Sequence, residues 1–172
     1  VMNSSSYSAA IGYNTRVYNN SCQSVAIGGN NAYVGCNSCY STAVGGYVQQ
    51  DSCYSTAVGY AASVTGCYST AVGNGASVYG NYSTAAGQGA TARGNYSAAV
   101  GNGAWTDANS CYSVAIGNNA YGYNNYTTAV GYGSRAYGNY TTAIGNGQSN
   151  GDYTLALGGN ANGNRTTAIN GA

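Results

Sequence analysis

The sequence CYSTAVGYAASVTGCYSTAVGNGASVYGNYSTAAG, residues 53–87, contains the pattern from which the fold can be inferred. In it the tripeptide Ala-apolar-Gly recurs, ending at Gly59, Gly73 and Gly87, and each copy lies fourteen positions after the one before. A fixed period of this kind marks a repeat architecture in which each unit is one small structural element stacked on the next. The sequence therefore predicts a stack of identical short units, one for each copy of the tripeptide.

The same tripeptide recurs through the whole chain. Fourteen residues is also the commonest interval between these glycines elsewhere in the chain, and inserted residues lengthen it near the start and before Gly117. A twelfth copy, Ala168-Ile169-Asn170, has Asn in place of Gly. The chain is predicted to be one repeat domain, residues 1–172, with repeats from about residue 7 to 170. The glycines of the regular copies are Gly12, Gly28, Gly45, Gly59, Gly73, Gly87, Gly101, Gly117, Gly131, Gly145 and Gly158.

Alignment of the copies on this glycine produces columns of one residue type. Ala lies two positions before the glycine and Ser or Thr four before it in all twelve copies. The position one before is always apolar, and the position five before is Tyr in ten of the twelve. Alternation with a period of two is typical of β-strands. Each unit is therefore predicted to hold two strands of about five residues separated by Gly and Asn turns.

These columns predict an all-β fold. Alternation places Ser, Ala and Gly on one face and Tyr, Thr and Val on the other, and the small residues allow two sheets to approach closely. We expect a thin parallel β-solenoid, or β-roll, of about twelve coils. At about 4.8 Å per coil, such a roll is roughly 55 Å long.

The outward face should carry a continuous apolar stripe. Such a stripe is far larger than the apolar surface that a monomer usually exposes. Because identical chains carry identical stripes, we expect self-association to bury it. The predicted inter-chain residues are Ile11, Ile27, Val44, Val58, Val72, Val100, Ile116, Val130, Ile144, Leu157 and Ile169.

Composition excludes several functional classes. Charged residues make up 4% of the chain, and the only basic residues are Arg16, Arg93, Arg135 and Arg165, too few for a nucleic-acid surface. No apolar run is long enough to span a membrane as a helix. Histidine is absent and Asp51, Asp107 and Asp152 lie far apart, so we expect neither an enzyme nor a bound cofactor or metal.

The repeat resembles the head repeat of YadA-like trimeric autotransporter adhesins. The matching stretches are Ser24-Val25-Ala26-Ile27-Gly28, Tyr54-Ser55-Thr56-Ala57-Val58-Gly59 and Asn81-Tyr82-Ser83-Thr84-Ala85-Ala86-Gly87. The resemblance implies a left-handed parallel β-roll and three chains around an axis faced by the Val/Ile column. It also implies surface display and adhesion. Because the repeat continues almost to the last residue without a polar cap, two alternatives stay open: a piece of a longer protein, or coils that stack end to end into a filament.

Five of the six cysteines occupy the column six before the glycine, and Cys36 lies outside it. Coils in register would place the Cα atoms of neighbouring column cysteines within disulfide range. Disulfides within or between chains and a ladder of unbonded thiols are both open. Metal binding by Cys36-Asn37-Ser38-Cys39 is disfavoured because a second pair is missing. The candidate disulfide residues are Cys22, Cys36, Cys39, Cys53, Cys67 and Cys111.

Asparagines share this column, and each is followed by a residue and then Ser or Thr, the N-glycosylation signal. A ladder of stacked Asn side chains is the alternative, because the column rules alone create the signal. The candidate sites are Asn81, Asn95, Asn125, Asn139 and Asn164.

The Tyr column predicts a third ladder, whose rings serve either subunit packing or adhesion to carbohydrate and other surfaces. It comprises Tyr7 and then Tyr40, Tyr54, Tyr68, Tyr82, Tyr96, Tyr112, Tyr126, Tyr140 and Tyr153.

Together these features predict a structural and adhesive subunit of an extracellular, cell-surface fibre. Its partner is itself, as a homo-oligomer or an end-to-end filament, with a host or surface ligand as a further candidate. An ice-binding solenoid that displays a regular Thr/Val array is the alternative function.

Overall fold

The computed structural model describes residues 1–29 and 31–169, which form a parallel β-solenoid built from two sheets. Each coil contributes one strand of three residues to sheet A and one of two residues to sheet B. Chain order alternates strictly between the sheets, so every strand of a sheet pairs with the strand two elements further along. The all-β solenoid predicted from the repeat is confirmed.

Sheet A holds the Thr-Ala-Val segments. Its twelve strands are all parallel and in register, so that Thr56 pairs with Thr70 and Ala57 with Ala71. The strands are β1 Ala9–Ile11, β3 Val25–Ile27, β5 Thr42–Val44, β7 Thr56–Val58, β9 Thr70–Val72, β11 Thr84–Ala86, β13 Ala98–Val100, β15 Val114–Ile116, β17 Thr128–Val130, β19 Thr142–Ile144, β21 Leu155–Leu157 and β23 Thr167–Ile169.

Sheet B holds the second half of each unit and has eleven parallel strands. The twelfth copy adds a strand to sheet A only, so the described residues make about eleven full turns. Asn170 of that copy lies outside the described residues. The strands are β2 Arg16–Val17, β4 Tyr33–Val34, β6 Tyr47–Val48, β8 Ser63–Val64, β10 Ser77–Val78, β12 Thr91–Ala92, β14 Trp105–Thr106, β16 Tyr121–Gly122, β18 Arg135–Ala136, β20 Gln148–Ser149 and β22 Asn160–Ala161.

The interior is thin and lined by small side chains. Ala57, Ala71 and Ala85 of sheet A and Val64 and Val78 of sheet B are all buried, as are their counterparts in the other coils except Ala10 of the first coil, which is half-buried. Sheets lined by alanine and valine approach more closely than sheets lined by leucine or phenylalanine. This is why so short a unit can close into a complete coil.

Buried serines satisfy the backbone where the chain turns between the sheets. The Ser55 hydroxyl donates to the Gly66 carbonyl at 2.9 Å and accepts the Ser69 backbone N–H at 3.2 Å. Ser41 and Ser69 repeat this double role in the coils on either side. A buried N–H or C=O without a partner is costly, so a small hydroxyl at this position stabilises these turns. Thr127 is an exception, because its buried Oγ1 atom has no hydrogen-bond partner.

The strands are shorter than the five residues predicted from alternation. Each sheet A strand is usually preceded by a tyrosine with positive φ, such as Tyr54 at 57°, and followed by a glycine with positive φ, such as Gly59 at 124°. Residues in these conformations cannot continue a pleated strand, so only the three residues near the centre remain extended. No helix of the described residues could cross a membrane.

Backbone angle requires the glycine column, and in most coils space requires it as well, Gly45 and Gly145 being exceptions on space. At Gly87 φ is +131°, and a Cβ atom would lie 2.3 Å from the carbonyl oxygen of Gly101 in the next coil. At Gly89, two residues later, φ is +64° and a Cβ atom would meet nothing within 4 Å. The first glycine therefore permits the close approach of neighbouring coils, whereas the second only forms a bend.

The variants Gly87→Ala and Gly89→Ala test this distinction. We expect Gly87→Ala to lower the free energy of unfolding by at least ~3 kcal/mol, because backbone must move in two coils. Gly89→Ala should cost about 1 kcal/mol, the ordinary penalty for a left-handed alanine. Denaturant unfolding of both variants at one protein concentration measures the difference. Equal losses would show that crowding between coils does not govern this column.

Candidate functional site

The apolar column lies on the outer surface of sheet A. Its exposed members include Ile11 at 58%, Val72 at 41% and Ile116 at 42%. The column is in register along the whole sheet, and Ala86 occupies its position in one coil. No strand residue of sheet A, all of which the structure describes, is charged. The result is an uncharged apolar stripe on one face of the roll. Its half-buried members are Val44, Val58, Val130 and Leu157.

Threonines accompany this stripe two residues earlier in seven of the twelve strands. Thr42, Thr56, Thr70 and Thr84 are in register on four successive coils. The array is interrupted elsewhere by apolar residues such as Leu155. Sheet A thus carries a regular Thr/Val grid over only part of its length.

The Tyr column forms a continuous stack at one edge of sheet A. From Tyr40 to Tyr153 successive ring centroids lie 4.7–5.2 Å apart and ring planes are within 6° of parallel. Each ring remains about half exposed, and Tyr7 is 90% exposed outside the stack. Stacking compensates the left-handed backbone angle that these tyrosines adopt, which is unusual for a bulky residue.

The Cys/Asn column departs from simple alternation. Alternation groups it with the buried Ser and Ala, yet Asn81, Asn95 and Asn164 are exposed and the cysteines are half-buried. The left-handed residue that follows each column position, usually tyrosine, rotates the chain and turns the side chain outward. The column therefore lies at a corner of the roll, and it forms a ladder directed from coil to coil.

In this corner ladder, the side chain of one coil accepts the backbone N–H of the column residue in the preceding coil. The Sγ atom of Cys53 accepts the N–H of Cys39 at 3.2 Å, and the Oδ1 atom of Asn81 accepts the N–H of Cys67 at 2.8 Å. Asn95 accepts from Asn81 at 2.8 Å in the same way. Cysteine and asparagine both occur in this column because both present an acceptor at the same height.

The cysteines are unbonded thiols in this arrangement. A column thiol can also donate to a carbonyl of the preceding coil, as Cys53 does to Asn37 at 3.0 Å. Burial, together with the neighbouring Cys39, Cys67 and Asp51, raises the pKa of the Cys53 thiol, although the hydrogen bond from Cys39 lowers it in part. Within the described residues, no group of three Cys or Asp side chains is arranged to hold a metal ion.

The asparagines of the glycosylation signals lie at the same corner. Asn81, Asn95 and Asn164 are exposed, whereas Asn125 and Asn139 are half-buried. The side-chain oxygens of Asn125 and Asn164 accept the backbone N–H groups of the preceding column residues, both at 3.0 Å. A glycan would attach to the Nδ2 atom of the side-chain amide, whereas the ladder hydrogen bond uses its Oδ1 atom and thereby fixes the orientation of the amide.

Sheet B carries a set of outward residues that the repeat pattern of the sequence does not predict. The outward position of its strands is occupied by aromatic, basic and amide residues towards the two ends and by small hydroxyl residues in the middle. Because this position varies from coil to coil, it gives no column. In the sequence, these residues could have been found as the ones that directly precede the buried residue in the second half of each unit. The outward residues include Arg16, Tyr33, Tyr47, Ser63, Ser77, Trp105, Tyr121 and Arg135.

The fold and these surfaces define a parallel β-solenoid repeat protein with one apolar and one polar-aromatic face. The family model described as "YadA head domain repeat (2 copies)" matches residues 54–76, 79–104 and 124–147. The chain therefore carries YadA-like head repeats across residues 54–147. This repeat occurs in surface-exposed adhesins, and together with the solenoid fold it fits an adhesin-like structural role. The comparison with curated proteins gave no match.

The Tyr stack can be tested with two variants of one residue. Tyr82→Ala should lower the thermal midpoint by about 3–6 °C, because the ring contacts both neighbours in the stack. Tyr82→Gly should lower it less, because glycine adopts the left-handed angle without strain. Circular dichroism melting at fixed protein concentration measures both. A larger loss for glycine than for alanine would contradict the strain attributed to this position.

The state of the cysteines can be read by alkylation under denaturing conditions without reductant. If the thiol ladder describes the protein, intact mass should show six alkylated cysteines, and Cys36→Ser should show five. In the folded protein the alkylation rate of Cys53 should reach half its maximum at a higher pH than that of a simple thiol, because its pKa is raised. Fewer alkylated residues would show that disulfides form instead.

Proposed function

We propose that this chain is a structural and adhesive subunit of an extracellular fibre at the cell surface. It assembles as a homotrimer with the apolar column of sheet A facing the common axis. The observation that carries the proposal is the uncharged stripe from Ile11 to Ile169, many of whose side chains are exposed in the single chain. YadA-like head repeats across residues 54–147 support the same arrangement.

Burial of this stripe supplies the energy of assembly. Removing apolar surface from water contributes about 25 cal/mol per Å², and in this chain the contribution is repeated on nearly every coil. Identical columns with the spacing of one strand allow valine and isoleucine of neighbouring chains to interlock along their length. With charged residues at 4% of the chain, little electrostatic repulsion opposes such close packing.

The remaining surfaces then face outward. Sheet B forms the opposite face of the thin roll, and the corner with the stacked tyrosines lies beside it. A rigid rod that displays repeated aromatic and amide groups is suited to contact with many points of another surface at once, which raises avidity without a deep pocket. The role needs no reacting group, and we propose no catalytic activity.

Ice binding by the Thr/Val grid is the second candidate. The in-register threonines on four successive coils, Thr42 to Thr84, favour it. This function requires sheet A to be exposed in solution, whereas assembly buries it. The two functions therefore make opposite predictions about the molecular mass.

The variant Val72→Asp tests the assembly. The wild-type protein should have three times the mass of the single 17.2 kDa chain in sedimentation velocity. Val72→Asp should shift it to monomer, because an unpaired charge in a buried interface costs several kcal/mol. Ser77→Asp is the matched control: it lies on the sheet B strand that follows in the chain and should remain a trimer.

A wild-type monomer would overturn the trimer. Such a monomer that also reshapes growing ice crystals, and loses this property in Thr70→Leu, would establish the second candidate instead. Long filaments in electron micrographs, unaffected by Val72→Asp, would show that assembly runs through the ends of the roll.

A further inference from the structure

Two depressions on the outer surface of sheet B are lined by the same types of side chain. The first measures about 430 Å³, and its lining includes Asn14, Arg16, Tyr33, Tyr47 and Gln49. Arginine, glutamine, asparagine and tyrosine thus converge on one place. Most ligand sites combine ring surfaces with a few placed polar groups in this way.

The second depression measures about 320 Å³ and lies near the other end of the same sheet. Its lining includes Asn119, Tyr121, Arg135, Asn146 and Gln148. The set again combines an arginine and a glutamine with asparagine and tyrosine. Two independent places on one face with the same composition indicate a shared ligand chemistry.

The fold does not demand these side chains. In strands β8, β10 and β12, which lie between the two depressions, the outward position is Ser63, Ser77 or Thr91. Before two of these strands the chain bends at a left-handed glycine, Gly75 or Gly89. In each depression, by contrast, left-handed asparagines form part of the lining. These three coils form the same strands with small residues, so the larger side chains serve something other than the fold.

Hydrogen bonds and ring contacts hold the first depression in shape. The Tyr33 hydroxyl donates to Oε1 of Gln49 at 2.7 Å, and Nε2 of Gln49 donates to Ser63 at 3.3 Å. The rings of Tyr33 and Tyr47 lie 5.2 Å apart with a tilt of 30°. Asn14 donates to Asn31 at the rim. Side chains held in this way lose little freedom when a ligand binds.

The arginines identify the charge of the ligand. Arg16 donates to the hydroxyl of Tyr18 at 3.3 Å, and the Arg135 guanidinium lies 5.6 Å from the centroid of the Tyr121 ring. Within residues 1–29 and 31–169, neither arginine is paired with a carboxylate. Arg16 is exposed and Arg135 is half-buried. An unpaired guanidinium that ligands can reach is suited to bind a carboxylate with two parallel hydrogen bonds.

The neighbouring groups identify the rest of the ligand. Tyrosine rings pack against the flat C–H faces of pyranose rings, and asparagine and glutamine amides bond to hydroxyl groups as donors or as acceptors. Uronic acids are pyranoses that bear a carboxylate. We therefore propose that the two depressions of sheet B bind an acidic polysaccharide built from uronic acid residues.

The separation of the depressions favours a polymer over a single sugar. Strands β4 and β18, which carry Tyr33 and Arg135, are seven strand spacings apart in sheet B, about 34 Å at ~4.8 Å each. One extended polysaccharide chain can contact both. Simultaneous contact makes the second binding event intramolecular and increases the apparent affinity. This inference goes beyond the proposed function and rests on it only in that assembly through sheet A leaves sheet B outward.

Isothermal titration with polygalacturonate oligomers tests the site, and the fully methyl-esterified oligomer is the uncharged comparison. The wild-type protein should bind the acidic oligomer, with the ester at least ~10-fold weaker because it lacks the carboxylate. Arg16→Gln should weaken binding by about 10-fold, and Arg16→Gln with Arg135→Gln should abolish it. Tyr33→Ser installs the residue found in β8 and β10, so it keeps the fold and should also weaken binding.

Arg165→Gln is the matched control, because Arg165 lies beside Tyr153 of the stack and outside both depressions. It removes the same charge and should bind like the wild type. An equal loss in Arg165→Gln, equal binding of the ester, or absence of binding to the acidic oligomer would each overturn the proposal. Mass measured on the same samples separates the two proposals: a monomer that binds contradicts assembly alone, and a trimer that does not bind contradicts this site alone.

Discussion

Parallel, in-register hydrogen bonding of each coil to the next is the interaction on which the whole molecule depends. It fixes the distance between equivalent residues at one strand spacing, seen directly in the 4.7–5.2 Å between stacked tyrosine rings. At this distance equivalent residues of adjacent coils contact each other, so each column requires a residue type that packs or bonds well with copies of itself. Glycine at Gly87 permits backbone contact, serine at Ser55 bonds in both directions, and tyrosine at Tyr82 stacks.

The two faces of the roll differ in how strictly their outward residues repeat from coil to coil. In sheet A the third residue of every strand is apolar, which produces a continuous apolar stripe fitted to copies of itself. In sheet B only the buried residue recurs, while the outward residue changes between Arg16, Ser63 and Trp105. Assembly and recognition can thus be assigned to opposite sides of a roll only two sheets thick, and changes to one side leave the other intact.

Much of the fold could be predicted from the sequence because the columns report the environment of each position. The buried alanines, the exposed Val/Ile column and the stacked tyrosines follow from periodicity. The predicted strand length was wrong, because alternation assumes an extended backbone and Tyr54 adopts a left-handed one. For the same reason, alternation alone did not give the direction of the Cys/Asn column. The depressions of sheet B could not be found by aligning repeats, because Arg16 and Arg135 occupy a position at which the other coils have different residue types.

The inserted residues show how such a protein changes its length. The connection from sheet B to sheet A is 65–69 in a regular coil, and the longer connections keep the strands on either side in register. They are 18–24, 35–41, 49–55 and 107–113. Additions within a connection therefore leave the ladder undisturbed, whereas addition of a whole unit extends the rod by one strand spacing and alters contacts only at the junction. Duplication or loss of a unit in the gene would change the reach of the protein in fixed steps, while its stability per coil stays constant.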